Sequence, residues 1–165
     1  MQLPSDMTKE YKRPVDLIVI HCSASREDVD YTFEQCLKDH QARGFKQCGY
    51  HFFIRKNGTV HIGRSLDVSG AHVAGFNQRS IGICYEGGLS DKGKPKDTRT
   101  FNQKESIERC IKEAIEYSGG KVKRIIGHRD LSPDLNGNGV VEPNEWVKSC
   151  PCFDAGPEYK HFLNK

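Results

Sequence analysis

Apolar residues along the chain fall into short β-branched runs separated by stretches of helical periodicity. Residues 16–22, Asp-Leu-Ile-Val-Ile-His-Cys, are almost continuously apolar, too short for a helix, and predict a central strand that reaches its end at His21. Residues 31–43 predict a helix, with Phe33, Cys36 and Leu37 on one face, Thr32 and Gln35 as a capping box, and Gly44 as the stop. Residues 51–55 and 59–63 flank Lys56-Asn57-Gly58, and Asn-Gly between two such runs is a strong hairpin signal. Residues 80–85 predict a further strand. Over 101–118, Ile107, Cys110, Ile111, Ala114 and Ile115 recur at helical spacing before Gly119-Gly120, and 123–127 predict a last strand leading into His128.

The resulting order, β-α-β-β-β-α-β, predicts an α/β fold, a single domain with a central mixed β-sheet flanked by helices. At 165 residues the chain has room for one such domain, expected over 15–165 behind a loose polar leader at 1–14. Strand order does not follow from the pattern. No apolar run approaches the roughly 18–20 residues of a membrane span, and the N-terminus lacks the apolar stretch of a secretory signal. Cytoplasmic synthesis without a Sec signal is therefore expected, and membrane partners are not. A net charge of +3, with its bases scattered apart from Lys121, Lys123 and Arg124, gives no footprint for direct nucleic-acid binding. Seven cysteines without a secretion signal argue against a full disulfide framework. Cys36 and Cys110, on apolar helix faces, are expected to be ordinary core residues.

Chemistry concentrates at strand ends. His21 and His128 stand at or just beyond predicted central strands, where α/β proteins place ligands, and Cys150 lies in the Pro-containing loop Lys148-Ser-Cys-Pro-Cys. Two imidazoles and a thiolate suit zinc and leave a fourth position open. Each is equally readable alone as a structural histidine or an inert thiol, since the set lacks the spacing of a compact metal motif.

Seven segments sharpen the reading: Ile18-Val-Ile-His-Cys-Ser-Ala, Gly49-Tyr-His-Phe, Asn57-Gly-Thr-Val, Gly70-Ala-His-Val-Ala-Gly-Phe-Asn, Ser80-Ile-Gly-Ile-Cys, Gly127-His-Arg-Asp-Leu and Lys148-Ser-Cys-Pro. In this order the chain resembles the type-2 N-acetylmuramoyl-L-alanine amidases, which include short phage amidase lysozymes and are similar to peptidoglycan recognition proteins. The resemblance implies zinc at the sheet rim held by His21, His128 and Cys150, catalytic roles for Tyr50 and Lys148, and a substrate groove lined by His72 and Asn77. It implies hydrolysis of the amide between N-acetylmuramic acid and L-alanine in peptidoglycan, by a monomer acting on the cell wall after release. Cys84 stands where some relatives carry a glutamate, so a general base there is absent, and Glu86 reads as a strand residue. His40, His61 and His161 match no pattern and read as surface or structural. The alternative is a non-catalytic peptidoglycan-binding module, which the presence of Cys150 and Lys148 disfavours.

A second cation is a further expectation. Residues 134–145 match D-x-[DN]-x-[DN]-G-x5-E, so Asp134, Asn136, Asn138, the Val140 carbonyl, Glu142 and Glu145 would offer calcium ligands. This segment reads as an insertion between two zinc ligands, or as an Asn/Gly-rich surface turn.

Overall fold

The structure is a computed structural model describing residues 12–163, so residues 1–11 of the expected leader lie outside it. Arg13, also placed in the leader by the sequence, belongs to the fold instead. It is buried, and its guanidinium donates to the carbonyls of Leu66 (2.8 Å), Gln78 (3.0 Å) and Ser80 (3.1 Å).

Seven strands and three helices follow: β1 (Leu17–Cys22), β2 (Ser25–Arg26), α1 (Phe33–Ala42), β3 (Phe52–Ile54), β4 (Val60–Ile62), β5 (Ser80–Tyr85), β6 (Gly88–Leu89), α2 (Phe101–Tyr117), β7 (Arg124–Gly127) and α3 (Ala155–Tyr159). The main sheet has the order β4-β3-β5-β1-β7, with β1 parallel to both β5 and β7, β3 parallel to β5, and only the hairpin strand β4 antiparallel. β2 and β6 make a separate two-stranded ribbon that the sequence pattern is too short to signal. β1 and β5 are buried at every position, which explains their unbroken apolar runs.

Side-chain alternation divides the sheet into two faces with different tasks. On one, Ile18, Ile20, Ile81, Ile83, Phe52 and Ile54 pack against the Ile107, Cys110, Ile111 and Ala114 stripe of α2 and against Phe153, Tyr159 and Phe162 from the C-terminal segment. α2 starts at Thr100, whose hydroxyl accepts from Gln103 N while the Gln103 side chain accepts from Thr100 N, a full capping box. At α1 only half of the expected box forms: Thr32 accepts from Gln35 N, but the Gln35 amide turns to Asp39. The opposite face carries Leu17, Val19 and Ile126 near β7, and Phe53 and Cys84 under α1 near β3. His21 falls on this second face, the less fully covered one.

The C-terminal segment is tied down strongly. Buried Arg99 bridges Asp97 (2.9 Å) and Glu158 (2.6 Å), donates to the Tyr159 hydroxyl (2.7 Å), and stacks over Phe153 at 3.3 Å. This fixes the chain immediately after Cys150. Glu86, beyond the end of β5, is fully buried and accepts from Arg55 Nε (2.7 Å) and from the amides of Tyr31 (2.7 Å) and Lys56 (3.0 Å), a structural role.

Candidate metal centre

Register brings the two histidines together. Ile20 pairs with Gly127 across the parallel β1–β7 ladder, so the next residues, His21 and His128, leave adjacent strands at the same level with ring centroids 4.7 Å apart. Cys150 arrives on a loop held from three sides. Its carbonyl accepts from Arg129 N at 2.9 Å, its Sγ accepts from Cys22 N at 3.2 Å, and the next carbonyl, Pro151 O, accepts from the buried Tyr85 hydroxyl at 2.5 Å. The Cys150–Pro151 peptide is cis, and Pro151 lies so close to Gly127 that a Cβ there would meet the proline Cδ at 2.5 Å. Only glycine fits at position 127.

The ligand atoms of His21, His128 and Cys150 lie within 4.8 Å of one another, and His21 Nδ1 is 4.0 Å from Cys150 Sγ. Tetrahedral zinc with bonds of about 2.0–2.3 Å asks for ligand separations of roughly 3.3–3.8 Å, so a small contraction closes the set. The donors fit the ion: three groups, borderline-soft, with one position left open.

A further layer orients His21. Its Nε2 meets His72 Nδ1 at 2.8 Å, and His72 Nε2 meets Ser80 Oγ at 3.1 Å. With Nδ1 of His21 turned to the sulfur, Nε2 carries the proton and donates it to His72, the arrangement that keeps a metal-binding imidazole in one tautomer and one orientation. The His72 ring sits directly on Gly82, where a Cβ would come within 2.8 Å of it. Asn77 holds the loop, its Oδ1 accepting from the amides of His72 and Val73, both at 2.9 Å. His72 therefore stands directly behind His21, with Asn77 behind His72 in turn. Burial lowers the pKa of His21, His72 and His128, with neighbouring imidazoles adding to the effect at His21 and His72 and Lys148 adding at His21 and His128. All three rings are neutral at pH 7, the form that offers a lone pair.

Tyr50 packs its ring 5.0 Å from that of His21, and burial pushes its hydroxyl pKa well above the ordinary value, so it stays protonated. Lys148 is exposed and, with His128, lines a cleft of about 220 Å³ walled by Val73, Ala74, Leu131 and Pro133.

The expected calcium site at 134–145 gains no support from the side-chain arrangement. Among the described residues, sets of three metal-competent acidic, His or Cys side chains form at two places, neither within 134–145. There the carboxylates turn to the loop itself: Asp134 accepts from Gly137 N (3.1 Å) and Gly139 N (2.7 Å), Glu145 from Asn136 N (3.2 Å) and Glu142 N (2.9 Å), and Glu142 from the side chains of Asn136 (3.1 Å) and Asn138. Asx and capping-box bonds occupy these carboxylates.

A family model described as N-acetylmuramoyl-L-alanine amidase matches residues 11–151, a span containing every element from β1 to β7 and Cys150. The chain belongs to that family. It is 33% identical over 138 residues to an endolysin of Klebsiella phage KP32, covering 83% of this chain and 80% of the relative. To peptidoglycan recognition protein 1 of Rattus norvegicus it is 32% identical over 142 residues, covering 81% of this chain and 75% of that one. Among solved structures, the N-acetylmuramoyl-L-alanine amidase LysC from Clostridium intestinale superposes with a TM-score of 0.69 at 24% identity, over 92% of this chain and 87% of that one, a likeness of fold.

The second three-residue set, Cys36, His40 and Cys48, was missed. His40, expected as a surface or structural residue, is 6% exposed beneath Tyr50. The i, i+4 spacing of Cys36 and His40 was the available signal; nothing local pointed to Cys48.

Proposed function

We propose that the chain hydrolyses the amide bond between N-acetylmuramic acid and L-alanine of peptidoglycan, with one zinc ion held by His21, His128 and Cys150. The observation that carries this reading is the meeting of two neutral imidazoles and a thiol within 4.8 Å at the ends of parallel strands, in a chain of the amidase family. Zinc bound there supplies Lewis acidity and brings the pKa of water down to about 7.

The chain's own groups do the rest. His72 and Ser80 hold His21 in one tautomer, and Asn77 holds His72. Tyr50, protonated through burial, offers its hydroxyl proton as a hydrogen bond to the attacking water or the developing oxyanion. Lys148 brings a fixed positive charge to the cleft mouth, where the amide carbonyl gains negative charge. The cleft beside His128, with Val73, Ala74, Leu131 and Pro133 on its walls, would take the muramyl–peptide junction.

The test is release of stem peptides with free L-alanine amino termini from purified peptidoglycan, run as isolated, after chelation, and after zinc add-back, with Cys150→Ala alongside. Zinc-restored cleavage absent from the variant supports the proposal. Sedimentation with the wall and no cleavage of any stem type would replace it with a binding module, the reading closer to the peptidoglycan recognition relative.

A further inference from the structure

Cys36, His40 and Cys48 form a cluster of their own on the α1 side of the sheet, with Tyr50 between it and His21. Cys36 and His40 stack one turn apart on α1, while Cys48 comes from the irregular, largely exposed segment that leads into Tyr50. Cys36 Sγ lies 3.9 Å from Cys48 Sγ and 3.9 Å from His40 Nε2, and all three side chains are buried.

Such a group can be a metal site or a dithiol, and the hydrogen bonding decides between them. Gly49 N donates to His40 Nδ1 at 2.7 Å. Nδ1 is therefore an acceptor, and the neutral ring carries its proton on Nε2, aimed at the sulfurs. A metal on Nε2 would need that proton on Nδ1, directly against the Gly49 N–H. A closed structural zinc site also takes four ligands, and this set has three. A thiolate fits the same donors well. Cys48 Sγ is approached by Cys36 S–H, His40 and the Tyr50 amide, which together make it the more acidic of the two thiols, while Cys36 is pushed up.

We propose that Cys36 and Cys48 are a redox couple, which closes to an intramolecular disulfide by exchange with a small-molecule disulfide and braces the segment carrying Tyr50. In the first step the Cys48 thiolate attacks one sulfur of the oxidant and expels a thiolate, leaving a mixed disulfide. Cys36 then loses its proton to that expelled thiolate and attacks the Cys48 sulfur, releasing the second half as a thiolate. Two electrons pass from the protein to one external disulfide, which leaves as one thiol and one thiolate, the latter taking up the proton that Cys48 had already given to solvent. Exchange takes place as the exposed segment between α1 and Cys48 opens. Closure shortens the sulfur gap from 3.9 Å to about 2.05 Å and draws Cys48 toward α1.

The experiment equilibrates the full chain with reduced and oxidised glutathione, blocks free thiols, and maps tryptic peptides without reduction. Lys38, Arg43 and Lys46 are cleavage sites between the two cysteines, so only a disulfide links the peptides that carry them. The expected result is a linked Cys36–Cys48 pair in the wild type, persisting in Cys110→Ser, lost in Cys48→Val, and accompanied by a rise in Tm on the order of 5–10 °C. Thiols at 36 and 48 that stay blockable under millimolar oxidised glutathione would overturn the proposal, as would pairing of either with another cysteine. Zinc retained by Cys150→Ala and lost on adding Cys36→Ser would show a metal site in its place. The wild-type map stands even where a variant fails to fold, and none of these readouts depends on peptidoglycan cleavage.

Discussion

Gly82→Ala is the most discriminating perturbation of the proposed zinc centre, because it touches no ligand. Gly82 lies in β5, hydrogen-bonded between β1 and β3, so its backbone has little freedom to yield. An added methyl would stand 2.8 Å from Cδ2 and Cγ of His72 and 2.9 Å from Nδ1, the atom facing His21. Ordinary contact needs at least 3.4 Å, so the ring must retreat by roughly 0.6 Å or more, stretching a 2.8 Å bond to or beyond the hydrogen-bond limit. Overpacking of this kind costs about 1–3 kcal/mol of stability. Loss of the His21 orienting bond weakens metal affinity ~10–100-fold. Competition against a chromophoric chelator measures that affinity directly. Because the effect is routed through the His72 ring, Gly82→Ala should add little once His72→Ala is present, a non-additivity a double-mutant cycle reads out. A Gly82→Ala protein with wild-type zinc affinity, or full additivity with His72→Ala, would refute the reasoning.

Tyr85→Phe removes the buried donor to Pro151 O and should cost about 1–3 kcal/mol in urea unfolding while also weakening zinc retention, since the Cys150 loop loses a tether. Lys148→Ala should lower kcat by ~10²–10³ with zinc stoichiometry unchanged, because the side chain is exposed and its charge acts at the cleft alone. Acidification should destabilise the chelated protein through His51, which is fully buried. It donates to the Val68 carbonyl at 2.8 Å, accepts from Gly82 N at 3.1 Å, and has its pKa lowered by burial to about 4. A histidine pKa lower in the folded than in the unfolded chain stabilises fully above about pH 6.5 and loses that contribution as pH falls toward 4, here about 3 kcal/mol. Urea midpoints between pH 7 and 4 should therefore fall less steeply in His51→Gln than in the wild type.

The elements were legible because each carried its own period. The runs 16–22 and 80–85 and the 101–118 stripe match β1, β5 and α2 to within a residue. Strand adjacency was not legible, since the β1–β7 ladder joins residues about a hundred positions apart through a register no local pattern encodes. His21, His128 and Cys150 were found as strand-end and loop residues, and the family resemblance drew them together. Their convergence in space rests on the Ile20–Gly127 pairing and on the Tyr85 tether to Pro151. The calcium expectation gains no support, for a different reason. Asp134, Glu142 and Glu145 satisfy an ion-binding pattern, but the same carboxylates serve equally as acceptors for nearby amides, and a motif cannot tell the two apart.

Buried polar groups are where this fold separates stability from chemistry. The face under α2 is dominated by apolar side chains, with Gln103 and Ser106 of α2 also buried, whereas the face of His21 buries His40 and His51 and packs His72 behind His21. Each such group left without a partner would cost about 1–3 kcal/mol, so the arrangement persists only where the bonding is complete. Among the described residues, Trp146 Nε1 is the single buried side-chain nitrogen or oxygen without one. Completeness also removes freedom. His51 spans Val68 O and Gly82 N, His72 spans His21 and Ser80, and His40 seizes Gly49 N beside Tyr50. Three imidazoles unsuited to a hydrophobic core are each fixed in tautomer by a backbone group or a neighbouring side chain, and together they determine where His21 and Tyr50 stand. Rigidity at the candidate centre thus comes from hydrogen-bond direction on one face, while the larger apolar cluster lies on the other.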